Sequence, residues 1–216
     1  HRVIAAIAPN DSVERFEKLG VTVVQAEARF RDAVTIEAAG QAYTARRMVI
    51  ATGSRAAHPP IPGLADVPYF TNETLFESRE KPEHLIVIGG GPIGMEMAQA
   101  HRRLGSRVTV VEAFDPLAKD DPEVAAILLE KLASDGITIL TRTPVKGVRR
   151  TETGIAVDTD GKGTVEGSHL LVAAGRIPNI ENLNLDKAGI AHTKLGISVD
   201  QGLRTSFDYR FRRDRV

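Results

Sequence analysis

Residues 84–112 read HLIVIGGGPIGMEMAQAHRRLGSRVTVVE, and this stretch decides which fold the sequence predicts. Its first part, 85–88, is a short apolar run typical of a buried strand, and a glycine-rich turn at 89–94 follows it directly. A helix is predicted next, ending at Gly105, and then a second apolar strand at 108–111. The apolar residues that share one face of the predicted helix are Ile93, Met97, Ala100 and Leu104.

The order of strand, glycine turn, helix, strand and acid is the order that a dinucleotide site requires. Gly89 allows a tight turn, Gly91 lets a pyrophosphate approach the backbone, and Gly94 lets the helix lie close to the strand. The helix N-terminus offers unpaired N–H groups and a partial positive charge to the phosphates. The alternative is a glycine turn in an α/β domain that binds no ligand. The residues predicted to bind the cofactor here are Gly89, Gly90, Gly91, Pro92, Ile93, Gly94 and Glu112.

Glu112 ends the second strand, 18 residues after Gly94, about where an acid accepts hydrogen bonds from the adenosine ribose. An acid at this position repels a 2′-phosphate. No Lys or Arg lies between Glu112 and Lys119 to attract one. The sequence therefore favours NAD over NADP as the bound nucleotide.

The composition excludes several classes of function. The 216 residues carry 28 basic and 28 acidic side chains, so nothing indicates a nucleic-acid partner, and the apolar runs are too short to span a membrane. The absence of cysteine excludes disulfides, thiolate metal sites and cysteine nucleophiles in this chain. The six histidines have no metal-ligand spacing, so no metal site is predicted. A cytoplasmic location fits this composition.

Before the glycine turn, the sequence predicts mostly short β segments. A helix is expected to start at Asp11 or Ser12 and to end at Gly20, followed by a strand at 21–24. Segments 33–36 and 41–44 are predicted to form a hairpin around Gly40. A further strand is expected at 47–51. The proline-rich residues 58–83 are predicted to be a linker between two domains.

After the second strand, Asp121 and Pro122 are expected to start another helix, which ends at Gly136. A strand follows, and then three short β segments near residues 145–150, 154–158 and 163–166. A buried strand at 169–173 closes the series. The sequence thus predicts a βαβαβ unit, an antiparallel meander and a return strand.

Three motifs resemble the flavin-dependent pyridine nucleotide–disulfide oxidoreductases, especially the dihydrolipoamide dehydrogenase and mercuric reductase branch. Residues 49–54 (VIATGS) resemble the strand that ends the first pass through the FAD domain. Residues 89–96 (GGGPIGME) resemble the NAD-domain fingerprint, and 173–179 (AAGRIPN) resemble the strand end that leads back to the FAD domain. The resemblance implies an α/β, Rossmann-like three-layer FAD/NAD(P)-binding fold with a parallel sheet, an antiparallel β-meander and a partial second FAD-type domain.

The resemblance also implies roles for individual residues. Glu96 matches a catalytic acid near the nicotinamide that pairs with a lysine of the FAD domain; the alternative is an ordinary solvated glutamate near Arg103. Val145 matches a residue that packs on adenine, and Gly175 one whose backbone faces the nicotinamide, although both also suit core and turn positions. The residues that match FAD-adenine contacts are Ala28 and Thr52.

Several features of the family do not occur in this sequence. The glycine motif for the FAD pyrophosphate, the redox-active cysteine pair and the C-terminal dimerisation domain are not found, and the tail from Phe207 to Val216 does not align. The predicted organisation is a partial FAD domain (1–57), a linker (58–83), an NAD domain (84–180) and a return segment with an atypical tail (181–216).

The function predicted from this resemblance is the NAD-binding module of a flavoprotein oxidoreductase. The parent enzyme would pass hydride between NAD(H) and FAD, and on to or from a disulfide or related acceptor. FAD would bind only in the intact parent, which would be a homodimer, and the fragment alone would be inactive. The alternative is a non-catalytic dinucleotide-binding fragment or an NAD-sensing module.

Overall fold

The computed structural model describes residues 2–207, and the chain divides into two compact units. Arg55–Arg176 form one of them, which we call the sheet unit. The described residues up to 54 and from 177 onward form the other, the hairpin unit. The tail at 208–216, predicted to be atypical, lies outside the described residues. Within residues 2–207, no helix is long and apolar enough to cross a membrane.

The regular elements follow one another in the order below. In the first part of the chain they are α1 (Arg2–Ile7), α2 (Val13–Lys18), β1 (Ala28–Phe30), β2 (Thr35–Ala38), β3 (Gln41–Thr44) and β4 (Ser54–Ala56). The central part contains β5 (His84–Ile88), α3 (Pro92–Arg103), β6 (Arg107–Val111), α4 (Pro122–Ser134) and β7 (Thr138–Leu140). The last part contains β8 (Val145–Arg150), β9 (Ile155–Thr159), β10 (Thr164–Gly167), β11 (His169–Val172), β12 (Arg176–Pro178), β13 (His192–Thr193) and β14 (Gly196–Ile197).

The sheet unit is built on a parallel sheet with the strand order β11-β5-β6-β7. In its register Val87 of β5 lies between Leu171 of β11 and Val110 of β6. All five residues of β5 are buried, as expected for a parallel strand that is covered on both faces. The strands predicted in the central stretch are therefore confirmed.

Alternate residues of β5 enter two different cores, because successive side chains of a strand point to opposite faces. Leu85 and Val87 belong to a core that α3 and α4 cover. Ile86 and Ile88 belong to a core that they share with residues of the antiparallel meander β8-β9-β10. The unit is therefore a three-layer structure of helices, parallel sheet and meander, as the family resemblance implies.

Helix α3 buries small residues together with part of the apolar face that the sequence shows. Gly94, Met97 and Ala98 are buried, whereas Ala100 and Leu104 are exposed, Leu104 by 68%. The predicted helix is confirmed, and only part of its apolar face is buried. The small residues Gly94 and Ala98, one turn apart, let the helix backbone approach the strands and so decide which face is buried.

Helix α4 begins as predicted. The Asp121 side chain accepts hydrogen bonds from the N–H groups of Glu123 and Val124, with Oδ1 to nitrogen distances of 2.9 and 3.4 Å. Pro122 occupies the first turn, where the missing N–H group costs nothing. The helix ends at Ser134, shortly before Gly136, whose φ of +86° suits glycine.

Residues 58–83, predicted to be a linker, lie within the sheet unit. Leu64 and Val67 are buried in the core of the meander face, and Leu75 is buried in the core of the helical face. Phe70 exchanges backbone hydrogen bonds with β11, since its N–H donates to the Leu170 oxygen and its carbonyl oxygen accepts from Val172, both at 2.8 Å. The prolines interrupt regular structure here, but the apolar residues between them still bury their side chains.

In the hairpin unit, the predicted hairpin is confirmed because β2 and β3 pair antiparallel. The Ser12 side chain caps α2, as one of the two predicted starts requires. The strands predicted at 21–24 and 47–51 are wrong, since neither segment is a strand. Segment 47–51 does alternate like a strand: Met48 and Ile50 pack against the core of this unit while Val49 is 89% exposed. A strand also needs a partner backbone, and the sequence pattern does not report one.

His84, the first residue of β5, is a buried titratable group. Only 7% of the residue is exposed; Nε2 lies 2.9 Å from Thr109 Oγ1, and Nδ1 makes no hydrogen bond with the described residues. Burial lowers the pKa of His84 below 6.5, and the charge of Arg107 lowers it further. The Glu166 backbone and the negative charge of Glu83 raise the pKa by smaller amounts. The folded protein therefore holds this imidazole in its neutral form.

We expect the free energy of unfolding to fall as the pH drops below 6.5, the ordinary pKa of histidine. In that range His84 binds a proton in the unfolded chain but not in the folded one, so acid favours unfolding. This effect ends when the pH falls below the pKa of His84 in the folded protein. Urea unfolding at about pH 5.5 and about pH 8 measures this slope. His84→Gln should flatten it, because the buried imidazole is then absent. An unchanged slope in His84→Gln would contradict the assignment.

Candidate dinucleotide-binding site

The glycine turn and Glu112, both predicted to bind a dinucleotide, meet at the carboxyl edge of the parallel sheet. Gly89 follows β5 and donates its N–H to the Val111 oxygen at 2.9 Å. Ala173 follows β11 and donates to the Ile88 oxygen at 2.8 Å. Glu112 follows β6 directly. This edge is where ligands bind in open α/β sheets.

The three glycines of the fingerprint have three different surroundings. Gly89 has a φ of +112°, and a Cβ atom there would overlap the Ala173 carbonyl group. A Cβ atom on Gly94 would overlap the Gly89 carbonyl oxygen and lie 3.4 Å from Val87 Cγ1. A Cβ atom on Gly91 would meet nothing within 4 Å. Gly89 and Gly94 are therefore required by the fold, whereas the space beside Gly91 is open.

The space beside Gly91 lies at the N-terminus of α3. Gly91 is the N-cap residue, no side chain caps the helix, and Pro92 occupies its first turn. Ile93 is half-buried and packs against the helical core. A helix of 12 residues presents partial positive charge at this end, so the open space suits an anionic group such as a pyrophosphate.

Glu112 connects the glycine turn to the loop after β6. One carboxylate oxygen accepts from the Gly90 N–H, and the other accepts from the Phe114 N–H at 2.8 Å. Gly90 lies so close that its Cβ would stand 3.0 Å from the Glu112 Cβ and Cγ atoms. An ionised carboxylate has about four acceptor sites, so Glu112 keeps the capacity to bind ribose hydroxyls.

Glu96 lies on α3 and is exposed. Among residues 2–207 it has no hydrogen-bond or ion-pair partner. Arg103, suggested by the sequence as a neighbour, lies 3.7 Å from Asp135 instead. The catalytic role of Glu96 stays a prediction.

Val145 and Gly175 lie on different elements of the sheet unit. Val145 starts β8 and packs, partly buried, against the core of the meander face. Gly175 has a φ of +132°, and its carbonyl oxygen accepts from the Ala57 N–H at 3.0 Å. Val145 thus has a role in the core whether or not it contacts adenine. Gly175 follows β11, the strand that pairs with β5 beside the glycine turn.

Ala28 and Thr52 belong to the hairpin unit. Ala28 lines a cleft of about 530 Å³ whose other lining residues include the acids Glu27, Glu37 and Glu181 and one cation, Arg29, which pairs with Glu37 at 3.5 Å. Thr52 Oγ1 donates to the Asn179 carbonyl oxygen at 2.7 Å. Carboxylates beside the cleft oppose a pyrophosphate, and the α-helices described in this unit have only six residues each. The described residues of this unit therefore do not fit the FAD pyrophosphate.

A cation that the local sequence did not predict lies beside the loop that begins at Glu112, after β6. Arg142 donates its backbone N–H to the Phe114 oxygen at 3.0 Å, and its guanidinium pairs with Asp115. It follows β7, far from Glu112 in the sequence, and nothing in the local pattern indicates this approach.

The family model for pyridine nucleotide-disulphide oxidoreductases matches residues 8–209. The chain belongs to this family. Its curated relatives include mercuric reductase from Acidithiobacillus ferrooxidans, 37% identical over 86% of the chain, and dihydrolipoyl dehydrogenase from Geobacillus stearothermophilus, 36% identical over 86%. The chain spans 35% of the first relative and 41% of the second.

Solved structures agree with this family membership. LpdA from Mycobacterium tuberculosis superimposes with a TM-score of 0.80 at 29% identity, over 95% of this chain and 48% of that protein. A Cu(II) complex of the HOCl-induced flavoprotein disulfide reductase RclA from Escherichia coli gives a TM-score of 0.76 at 28% identity, over 95% and 50%. The family resemblance and the fold predicted from the sequence are thus confirmed, and this family uses FAD and NAD(P).

Proposed function

We propose that this family member is the NAD-binding module of a flavoprotein oxidoreductase. The parent would pass hydride between NAD(H) and FAD, and on to or from a disulfide or related acceptor. The observation that carries the proposal is the open space at Gly91, at the N-terminus of α3, between two glycines that the fold itself requires. Such a cradle is what a bound pyrophosphate needs.

In this proposal the chain's residues bind and orient the nucleotide. The backbone at Gly91 and the first turn of α3 hold the pyrophosphate, and Glu112 accepts hydrogen bonds from the adenosine ribose. Val145 contacts adenine, while Glu96 and Gly175 lie on the nicotinamide side. The nicotinamide, when bound, supplies the hydride chemistry, and the protein supplies position and electrostatics.

The partner of this module is a small-molecule dinucleotide. Contacts of Ala28 and Thr52 with FAD belong to the proposed parent, since the described hairpin unit does not fit the pyrophosphate on its own. The sequence contains no cysteine that could exchange with a disulfide, so we propose that the chain alone binds nucleotide without turnover. A homodimeric parent and a cytoplasmic location are parts of the same proposal.

We expect NADH to bind the chain about fivefold to tenfold more tightly than NADPH, because the Glu112 carboxylate accepts from the ribose 2′-hydroxyl and repels a 2′-phosphate. Separate calorimetric titrations of the two nucleotides measure this ratio. Glu112→Gln keeps an oxygen for the Gly90 N–H but removes the charge, and should bring the two affinities closer.

The matched control is Glu130→Gln, which neutralises an exposed acid of α4 in the same unit. It should leave the ratio of the two affinities unchanged. Tighter binding of NADPH than of NADH by the unaltered chain would contradict the role of Glu112. The absence of binding of both nucleotides would contradict the proposed function.

A further inference from the structure

The loop from Glu112 to Leu117 is held on two sides by backbone hydrogen bonds. On the side of the glycine turn, the Leu117 N–H donates to the Gly90 oxygen at 3.0 Å. On the side of β7, the backbone carbonyl oxygen of Glu112 accepts from the Thr143 N–H at 2.8 Å. The backbone carbonyl oxygen of Phe114 accepts from the Arg142 N–H at 3.0 Å. The segment after β7 is therefore a fixed neighbour of the acid proposed to bind the ribose.

Arg142 brings a guanidinium group to this loop from 27 residues further along the chain. Its φ of +50° is uncommon for a residue with a side chain, so the surrounding hydrogen bonds hold the backbone there. Arg142 Nε lies 2.9 Å from Asp115 Oδ1, and Nη2 lies 3.2 Å from Oδ2. Both oxygens of Asp115 are thus occupied by one guanidinium, in the bidentate geometry that is the strongest form of this pair.

The pair is exposed, with 78% of the Arg142 side chain and 61% of the Asp115 side chain accessible to solvent. An exposed pair contributes little to folding, so the fold does not depend on it. Its other consequence is electrostatic. While Asp115 binds it, Arg142 offers no free positive charge beside the loop of Glu112, the acid proposed to bind the ribose. A guanidinium is the group that recognises phosphate bidentately.

We infer that Asp115 is a specificity-determining residue of the dinucleotide site, because it holds Arg142 in a neutral pair and so withholds a cation from a 2′-phosphate on the ribose. The inference rests on the proposed function, since it needs the ribose to bind at Glu112. It extends that proposal by assigning nucleotide selectivity to two carboxylates. Glu112 acts on the ribose directly, whereas Asp115 is a positioning residue that acts through Arg142.

The test is a double-mutant cycle with calorimetric titration of NADH and NADPH. Asp115→Asn should release Arg142 and tighten NADPH binding about threefold to fivefold, the scale of an exposed charge interaction, with NADH affinity nearly unchanged. Arg142→Gln should not tighten NADPH binding, because Asp115 then stands unpaired. In Asp115→Asn/Arg142→Gln the gain should disappear, which separates capture by Arg142 from the mere removal of a negative charge.

A matched control comes from another exposed pair of the same unit, Lys146 Nζ to Asp160 Oδ1 at 2.8 Å. Asp160→Asn should leave both affinities unchanged. The inference is overturned if Asp115→Asn has unchanged NADPH affinity, or if the gain persists in the double variant, while NADH binding continues in each. If the unaltered chain does not bind NADH, the proposed function is overturned, and this inference with it.

Discussion

Gly91→Val is expected to abolish NADH binding and to leave the melting temperature of the chain nearly unchanged. The backbone of Gly91 has a φ of −79°, which any residue adopts, and a Cβ atom there meets nothing within 4 Å. The valine side chain would occupy the space that the pyrophosphate needs. Each charge-assisted hydrogen bond that is lost, at about 1.5–3 kcal/mol, weakens binding by about tenfold or more.

Two measurements decide this prediction together. Thermal unfolding followed by circular dichroism reports whether the fold persists, and calorimetric titration with NADH reports binding. Gly91→Ala, with a smaller side chain in the same space, should have an intermediate affinity. If Gly91→Val binds NADH like the unaltered chain, the phosphates do not bind at this turn, and the proposed function fails.

Gly94→Val should show the opposite behaviour, with a large loss of stability. A Cβ atom at Gly94 overlaps the Gly89 carbonyl oxygen, which is backbone and cannot rotate away. Helix α3 would have to move off β5, which disturbs the core that holds Val87, Met97 and Ala98. We expect a cost of about 3 kcal/mol, at the upper end of the range for overpacking.

For a chain of this size, that cost corresponds to a fall in melting temperature of about 6–12 °C. Gly91→Val is the matched control, since it adds the same side chain three residues earlier where space is open. Comparison of the two unfolding curves therefore isolates the effect of the close packing. A melting temperature for Gly94→Val equal to that of Gly91→Val would contradict the role given to Gly94.

The part of the site that the sequence predicted well is the part that depends on local backbone chemistry. Gly89 has the positive φ that a tight turn requires, and Gly94 lies against the strand, as the spacing of the glycines indicates. Asp121 caps α4 because an acid before proline satisfies the first free N–H groups of a helix. These features need only neighbours that are close along the chain.

The predictions that failed depended on partners that lie far away along the chain. Residues 47–51 have the alternation of a strand, but no ladder forms there in the described structure. The helical spacing of Ala100 and Leu104 correctly predicted a helix, but it did not show that the packing of Gly94 and Ala98 leaves both residues exposed. Periodicity reports that an element has an apolar side, and it does not report which neighbour covers that side.

The sequence by itself determined the strand–turn–helix around Gly91, the acid at Glu112 and the order of βαβαβ unit, meander and return strand in the sheet unit. Tertiary structure alone decided that Arg142 reaches the Glu112 loop and pairs with Asp115. It also decided that residues 58–83 pack into the sheet unit. The physical reason is the separation along the chain between the residues that interact. Backbone conformation and capping are settled within about one helical turn, whereas ion pairs and buried faces are settled by residues that only the folded chain brings together.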